Sequence, residues 1–465
     1  MHEPNIETDY LIAGAGAVGM AFVDTLLSET NADITIVDLN HKPGGHWNQA
    51  YPFVTLHQPS AYYGVSSRAL DKGRRDTTGL NRGLHDLATG AEIMAYFDEV
   101  MRHTFLPSGR VRYYPMSRYE GDHAFRSLTS GKRTQVHVRK KIVDATFLKT
   151  SVPSTHTPNF EVAEGVQFIP LNDLPKMTNT PAGYVIVGGG KTAIDACLWL
   201  LEHGADPDTI TWIVPNDSWL LDRRNTQPGT DFFEHSMGSQ AAQLEAAASA
   251  TSIEDLFDRL EQAGVLLRID PAVRPRVFRG ATVSQLELEQ LRRIRNVVRL
   301  GRVKAIRADE IEFAEQTIPT SPGHVHVDCS AKAITKRPPV PVFQDRLITP
   351  QTIRSYQPIF SAALIAHVEA TFEDEEAKNK LCRVVPLPDQ DIDWIRGLIA
   401  QFRNQHRWSQ TPEVASWLQT NRLDGFARML SELDPSDRDK MNILARITTN
   451  IRPALANLAE LAKAA

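Results

Sequence analysis

One stretch near the start of the chain constrains the fold more than any other. Residues 9–39 read strand, glycine turn, helix, strand. Tyr10-Leu11-Ile12-Ala13 is a short apolar run, Gly14-Ala15-Gly16-Ala17-Val18-Gly19 interrupts it, residues 20–28 have helical spacing, and the β-branched Ile34-Thr35-Ile36-Val37 ends at Asp38. That order is one βαβ unit. Gly14 permits the tight strand-to-helix turn, Gly16 lets backbone amides approach a pyrophosphate, and Gly19 allows the helix to pack closely on the strand. Asp38 closes the second strand, where a carboxylate accepts hydrogen bonds from the ribose hydroxyls of an adenosine. The unit predicts a bound dinucleotide with its diphosphate at the positive end of the helix.

The order recurs. Tyr184-Val185-Ile186-Val187 leads into Gly188-Gly189-Gly190-Lys191-Thr192-Ala193, a helix follows to residue 202, and Ile210-Thr211-Trp212-Ile213-Val214 re-emerges as a strand. Ala193 in place of the third glycine stays within the known pattern. Gly188, Gly190, Lys191 and Thr192 are therefore candidate contacts to a second nucleotide. After the strand, Asp217 suits a ribose 2′-hydroxyl, whereas Arg223 and Arg224 suit a 2′-phosphate. The two arginines favour NADPH, with NADH as the alternative. The fold expected is α/β, with two Rossmann-like dinucleotide-binding domains. Residues 240–263 and 285–298 read as helical and look like an insertion in the second unit, and the chain after about residue 375 is mostly helical.

Composition narrows the partners. The chain of 465 residues is 42% hydrophobic and 23% charged with a net charge of −5, so it is long enough for several domains and offers no broad basic field to hold nucleic acid. Nowhere do enough apolar residues run together to cross a membrane. Cys197, Cys329 and Cys382 are far apart, which argues against a local dithiol or zinc cluster and fits a reducing compartment; no metal is expected. The first residues are acidic and polar, without the basic region of a secretory signal, and predict a cytoplasmic protein.

Two such units, with Gly44-Gly45-His46-Trp47 following the first acidic strand end, resemble the two-dinucleotide-binding-domain flavoproteins. The chain is most similar to the class B flavin-dependent monooxygenases, of the flavin-containing and Baeyer–Villiger types. The resemblance covers roughly residues 8–335 and implies FAD in the first unit and NADPH in the second. It implies a FAD-binding domain from residues 1–160 and 320–375, a nicotinamide-nucleotide domain with a helical insertion at 175–319, and a helical region at 376–465. Gly14, Gly16, Gly19, Asp38, Gly45, His46 and Trp47 would contact FAD, and His57 or Gln58 falls nearest the family's flavin-facing asparagine. The implied activity is oxygenation of a small organic substrate by dioxygen through a flavin C4a-peroxide. The family's Phe-x-Gly signature is not visible in residues 160–181, where Phe168-Ile169-Pro170-Leu171-Asn172-Asp173-Leu174-Pro175 stands instead. A reductase or oxidase that inserts no oxygen, or a flavin-binding sensor without catalysis, are the alternative readings.

Overall fold

The computed structural model describes residues 6–332 and 337–464. The first unit forms as the sequence predicts: β1 (Ile6–Ala13), α1 (Ala17–Glu29), β2 (Ile34–Val37), then α2 (Gly90–Val100), β3 (Val111–Tyr114) and β4 (Arg133–Asp144). Strand order is β3-β2-β1-β4, parallel throughout, with Ile12 opposite Ile36 and Val143. Parallel strands covered on both faces read as continuous apolar runs, and Leu11, Ile12, Ile34 and Ile36 are indeed all buried.

The second sheet holds β5 (Phe168–Pro170), β6 (Gly183–Val187) and β7 (Ile210–Ile213), with α3 (Lys191–Glu202) crossing between the last two. The chain then leaves this sheet for an insertion of β8 (Ser218–Asp222), α4 (Phe233–Ser249), α5 (Ile253–Gln262), β9 (Leu266–Leu267), β10 (Val277–Val283) and α6 (Gln285–Leu291). It returns through β11 (Val297–Val298) and β12 (His324–Asp328) to complete the order β5-β12-β6-β7-β11, all parallel.

Two sequence expectations are corrected here. Residues 285–298 are not one helix: α6 stops at Leu291 and Val297–Val298 becomes an edge strand, because the Trp212 amide donates to Asn296 O and the Val214 amide to Val298 O. Nor does the chain rejoin the first sheet at residue 320. β12 pairs on both sides within the second sheet, and Val325 and Val327 fill its core. The return comes at β13 (Phe343–Gln344) and β14 (Leu347–Ile348), the latter parallel to β4.

The remainder is helical: α7 (Pro358–Thr371), α8 (Glu375–Leu381), α9 (Asp391–Ser409), α10 (Pro412–Thr420), α11 (Gly425–Ser431) and α12 (Arg438–Ala464). α7 packs beside α1 in the core of the first unit. α9 and α12 instead share a core with the insertion, around Trp219, Phe257, Phe278 and Leu458, and Glu245 of α4 accepts from Nε and Nη2 of Arg446 on α12, each at 2.7 Å. The helical region is also pinned to the first unit, where Arg422 donates to the carbonyls of Ala61, Tyr63 and Val65 and the buried Arg354 meets Asp424 at 2.6 Å. Among the described residues no helix is long and apolar enough to cross a membrane.

Candidate functional site

The first glycine turn is built as its spacing requires. Gly14 has φ +103°, and a Cβ at Gly19 would collide with the Gly14 carbonyl oxygen, so helix and strand touch backbone to backbone. α1 begins at Gly16 with no capping side chain, whereas Thr89 and Ser284 cap α2 and α6. Its first amides stay available for an anion. Asp38 is buried, accepts the Ala15 amide at 2.5 Å and the Asn40 amide at 2.7 Å, and keeps lone pairs for a further donor on each oxygen. Burial raises its carboxyl pKa against the opposing pull of those two amides.

Residues 44–49 fold back over this turn. The Gly44 amide donates to Ala15 O at 2.8 Å, and a Cβ on Gly45 would stand 2.9 Å from Cα of Gly16. Beside Asp38, the Met116 amide bonds Asn40 O and the Leu128 amide bonds Met116 O. Leu39, Met116 and Leu128, on the segments joined by these bonds, are exposed large apolar residues. Exposed apolar side chains near a nucleotide-type strand end suit a flat heterocycle.

The loop continues between the two units and packs against both. Trp47 donates from Nε1 to Tyr63 Oη at 2.6 Å and packs against the cores of both units. His46 lies 5.0 Å from the Trp47 ring, and burial pushes its pKa down to about 4. His57 is largely surrounded by protein and only partly accessible. Burial, followed by the charges of Lys191 and Arg223, holds its pKa well below 6.5. Its Nδ1 faces the Thr282 amide at 3.4 Å, which leaves the proton on Nε2. Gln58 is partly accessible and its amide has no hydrogen-bond partner among the described residues.

These histidines fix a sign. Both are neutral in the folded chain, while the unfolded chain binds protons below pH 6.5, so their contribution is present above 6.5 and is lost as pH falls towards 4. Urea unfolding across that range is expected to show stability falling with acidity, and His46→Gln is expected to flatten the slope. An unchanged slope would mean that His46 titrates alike in both states.

The second turn is tied to the same loop. Gly188 has φ +142° and lies so close to the Cys329 carbonyl that no Cβ fits, while the space around Gly190, which begins α3 without a side-chain cap, is open. Lys191 pairs with Asp195, and Asp195 also accepts the Tyr51 hydroxyl at 2.5 Å. Phe53 stacks on Trp199, 5.2 Å between centroids. The segment that covers the first turn is thus fastened to the helix of the second. Thr192 sits in the first turn of α3, partly accessible and without a side-chain bond among the described residues.

The arginines expected to read a 2′-phosphate lie elsewhere. Arg223 is buried, with its donors taken by Glu287 at 2.6 Å, Thr282 O at 2.9 Å, His57 O at 3.2 Å and Asn81 Oδ1. Arg224 follows β8 in the separate three-stranded sheet and leans on Asp222 at 3.4 Å. At the same strand-end corner as Asp217 stands Arg299, just past β11, which grips Asp217 through Nε at 2.8 Å and Nη2 at 3.2 Å and has Asp270 3.5 Å from Nη2. Sequence reading missed it because its strand reaches the corner only through sheet pairing. It also missed Tyr51, although the i, i+4 spacing of Lys191 and Asp195 signalled half of that network.

No protein-family model matches the chain. It is 49% identical over 460 residues to the uncharacterized protein Rv2000 of Mycobacterium tuberculosis H37Rv, spanning 99% of this chain and 85% of that protein. The uncharacterized protein Mb2023 of Mycobacterium bovis matches with the same identity and coverage. Among solved structures, an oxidized steroid monooxygenase bound to NADP aligns with a TM-score of 0.50 at 14% identity, covering 90% of this chain and 91% of that one. A flavin-containing monooxygenase from Stenotrophomonas maltophilia aligns with a TM-score of 0.46 at 12% identity, over 78% and 97%. The chain has the fold of the two-dinucleotide-binding-domain flavoproteins, and it belongs to one family with these mycobacterial proteins.

Proposed function

We propose that the chain is an FAD-dependent oxidoreductase that takes electrons from a nicotinamide nucleotide, NADPH by preference, and oxygenates a small organic substrate. The observation that carries this reading is the tie between two uncapped glycine turns: the segment bonded over the first is fastened through Tyr51 to Asp195 in the helix of the second. The residues fit the groups: two helices without side-chain caps for two diphosphates, open space at Gly190, a buried carboxylate at Asp38, and the exposed Leu39, Met116 and Leu128 for an adenine. Flavin, when bound, supplies the passage of a hydride's electrons to an acceptor. The chain's part is alignment and exclusion of water, which the Trp47–Tyr63 wall and the Tyr51–Asp195–Lys191 tie serve.

His57 acts here as a neutral donor. Its Nε2–H offers a hydrogen bond to a flavin edge or to bound oxygen while staying neutral, because burial, and after it the charges of Lys191 and Arg223, oppose the imidazolium. His57→Ala is expected to change flavin reoxidation far more than NADPH affinity, and the wild-type reoxidation rate is expected to stay flat near pH 6.5. Stopped-flow traces settle it: superimposable reoxidation in the variant would make His57 structural.

Nucleotide choice falls to Arg299. Asp217 holds its Nε and Nη2, Asp270 stands 3.5 Å from Nη2, and Nη1 donates no hydrogen bond among the described residues. Arg299→Leu is expected to weaken NADPH about 10- to 100-fold, the worth of one charge-assisted hydrogen bond, with NADH little changed. Equal losses for both would reject that role. The decisive experiment on the whole reading is the visible spectrum of the purified protein before and after anaerobic NADPH, then air, with product mass measured under labelled dioxygen. Bleaching and recovery with unlabelled product would support the reductase or oxidase reading, which the absent signature in residues 168–175 favours.

A further inference from the structure

We propose that a basic cleft at the C-terminal end of α7 binds a small organic anion, a carboxylate or a phosphate ester. The cleft has a volume of about 470 Å³ and is lined by Tyr10, Lys140, Lys141, Glu369, Phe372 and Lys378 among others. None of its lining residues belongs to the glycine turns or to the space between the units. The proposal therefore stands independently of the flavin reading.

Two observations carry it. The first is the backbone of β4. Thr8 pairs with Val138 and Tyr10 with Lys141, so one residue of β1 faces two of β4 in a β-bulge at Arg139 and Lys140. In a regular strand consecutive side chains point to opposite faces. The bulge breaks that alternation, and Lys140 and Lys141 both reach one cleft.

The second is an unbalanced charge. Lys141 and Lys378 converge on a single oxygen, Glu369 Oε2, at 3.0 and 2.7 Å, while Tyr10 donates to Oε1 at 3.0 Å. The Lys378 side chain is only 5% exposed and that of Lys141 17%. Two largely buried ammonium groups thus share one carboxylate. The carbonyl end of α7 offsets roughly half a charge. Lys140 stands exposed at the rim, 5.8 Å from the Tyr10 ring, with no carboxylate partner among the described residues. Glu373 also lines the cleft but is exposed, where solvent screens it. A buried excess of positive charge is costly until an anion neutralises it. The partly exposed Phe372 gives that anion an apolar seat, and the volume exceeds what an inorganic ion needs.

Calorimetric titration of the full chain with phenyl phosphate and with benzoate at low ionic strength tests this. Saturable binding of either at one site per chain is expected, weakening with added salt. Phenyl phosphate alone would mark the ligand as a phosphate ester and benzoate alone as a carboxylate. Lys140→Glu, at the exposed rim, is expected to fold normally and to lose at least about tenfold in affinity. Lys141→Met is a second variant, since Lys378→Met strips a buried pair and threatens folding. Absence of saturable binding to the wild type, or equal binding in Lys140→Glu, would overturn the proposal.

Discussion

A Gly16→Val variant is expected to fold and yet to purify without flavin. Gly16 has φ −73° and ψ 177°, a conformation open to any residue, and a Cβ there would sit 3.5 Å from Cα of Gly45, an ordinary contact. The backbone accepts the change. The branched γ-carbons instead enter the space over the uncapped amides of α1, where a diphosphate would lie. Gly19→Ala is the counterpart: its Cβ meets the Gly14 carbonyl, a rigid backbone group, and the expected loss is of the fold itself, at or above the ~1–3 kcal/mol of ordinary overpacking. Flavin content per chain, beside circular dichroism and the thermal midpoint, separates the two. Full FAD occupancy in a folded Gly16→Val protein would remove the diphosphate from this turn.

Replacing Arg223 is expected to produce the largest loss of stability, and to affect NADPH and NADH alike. Its guanidinium and Glu287 form a pair with side chains 5% and 10% exposed. Glu287 also accepts the Ser284 amide at 2.7 Å in the capping box of α6. Arg223→Ala leaves that carboxylate buried with its main partner gone, for which about 3–5 kcal/mol is the usual cost. Asn81, the Thr282 carbonyl and the His57 carbonyl lose a donor with it. Urea unfolding at neutral pH measures the effect, and the double change Arg223→Met with Glu287→Leu is expected to recover much of it, since no charge is then stranded. A stable Arg223→Ala protein that lost only NADPH would return this arginine to the ribose phosphate.

What could be read in the sequence was what is local. The two crossover units were legible because a glycine turn, an uncapped helix start and an apolar strand constrain one another within about 30 residues. α7 left no such trace: every residue from Ile359 to Glu369 is buried, so it has no polar face to give it a period. The limit of the first domain was misplaced for a related reason, since Val325-His326-Val327 has strand character in either sheet and only its pairing decides between them. At the candidate site, Tyr51 and Asp195 are 144 residues apart and Arg223 and Glu287 are 64 apart, distances over which spacing carries no signal. Arg223 and Arg224 were chosen for their charge near a strand end. Charge alone does not distinguish a free guanidinium from one already spent on its own protein.

The core shared by the insertion and the C-terminal helices has a mechanical consequence. Two nucleotide-binding units joined only by linkers are free to swing, and such a hinge commonly opens the path for ligand exchange. Here the second unit's insertion is fused through Trp219 and Phe257 to α9 and α12, and the same helical region is riveted to the first unit by Arg354 and Arg422. Rotating one unit against the other would shear that packed interior, so ligand exchange by such a hinge carries the cost of breaking a core.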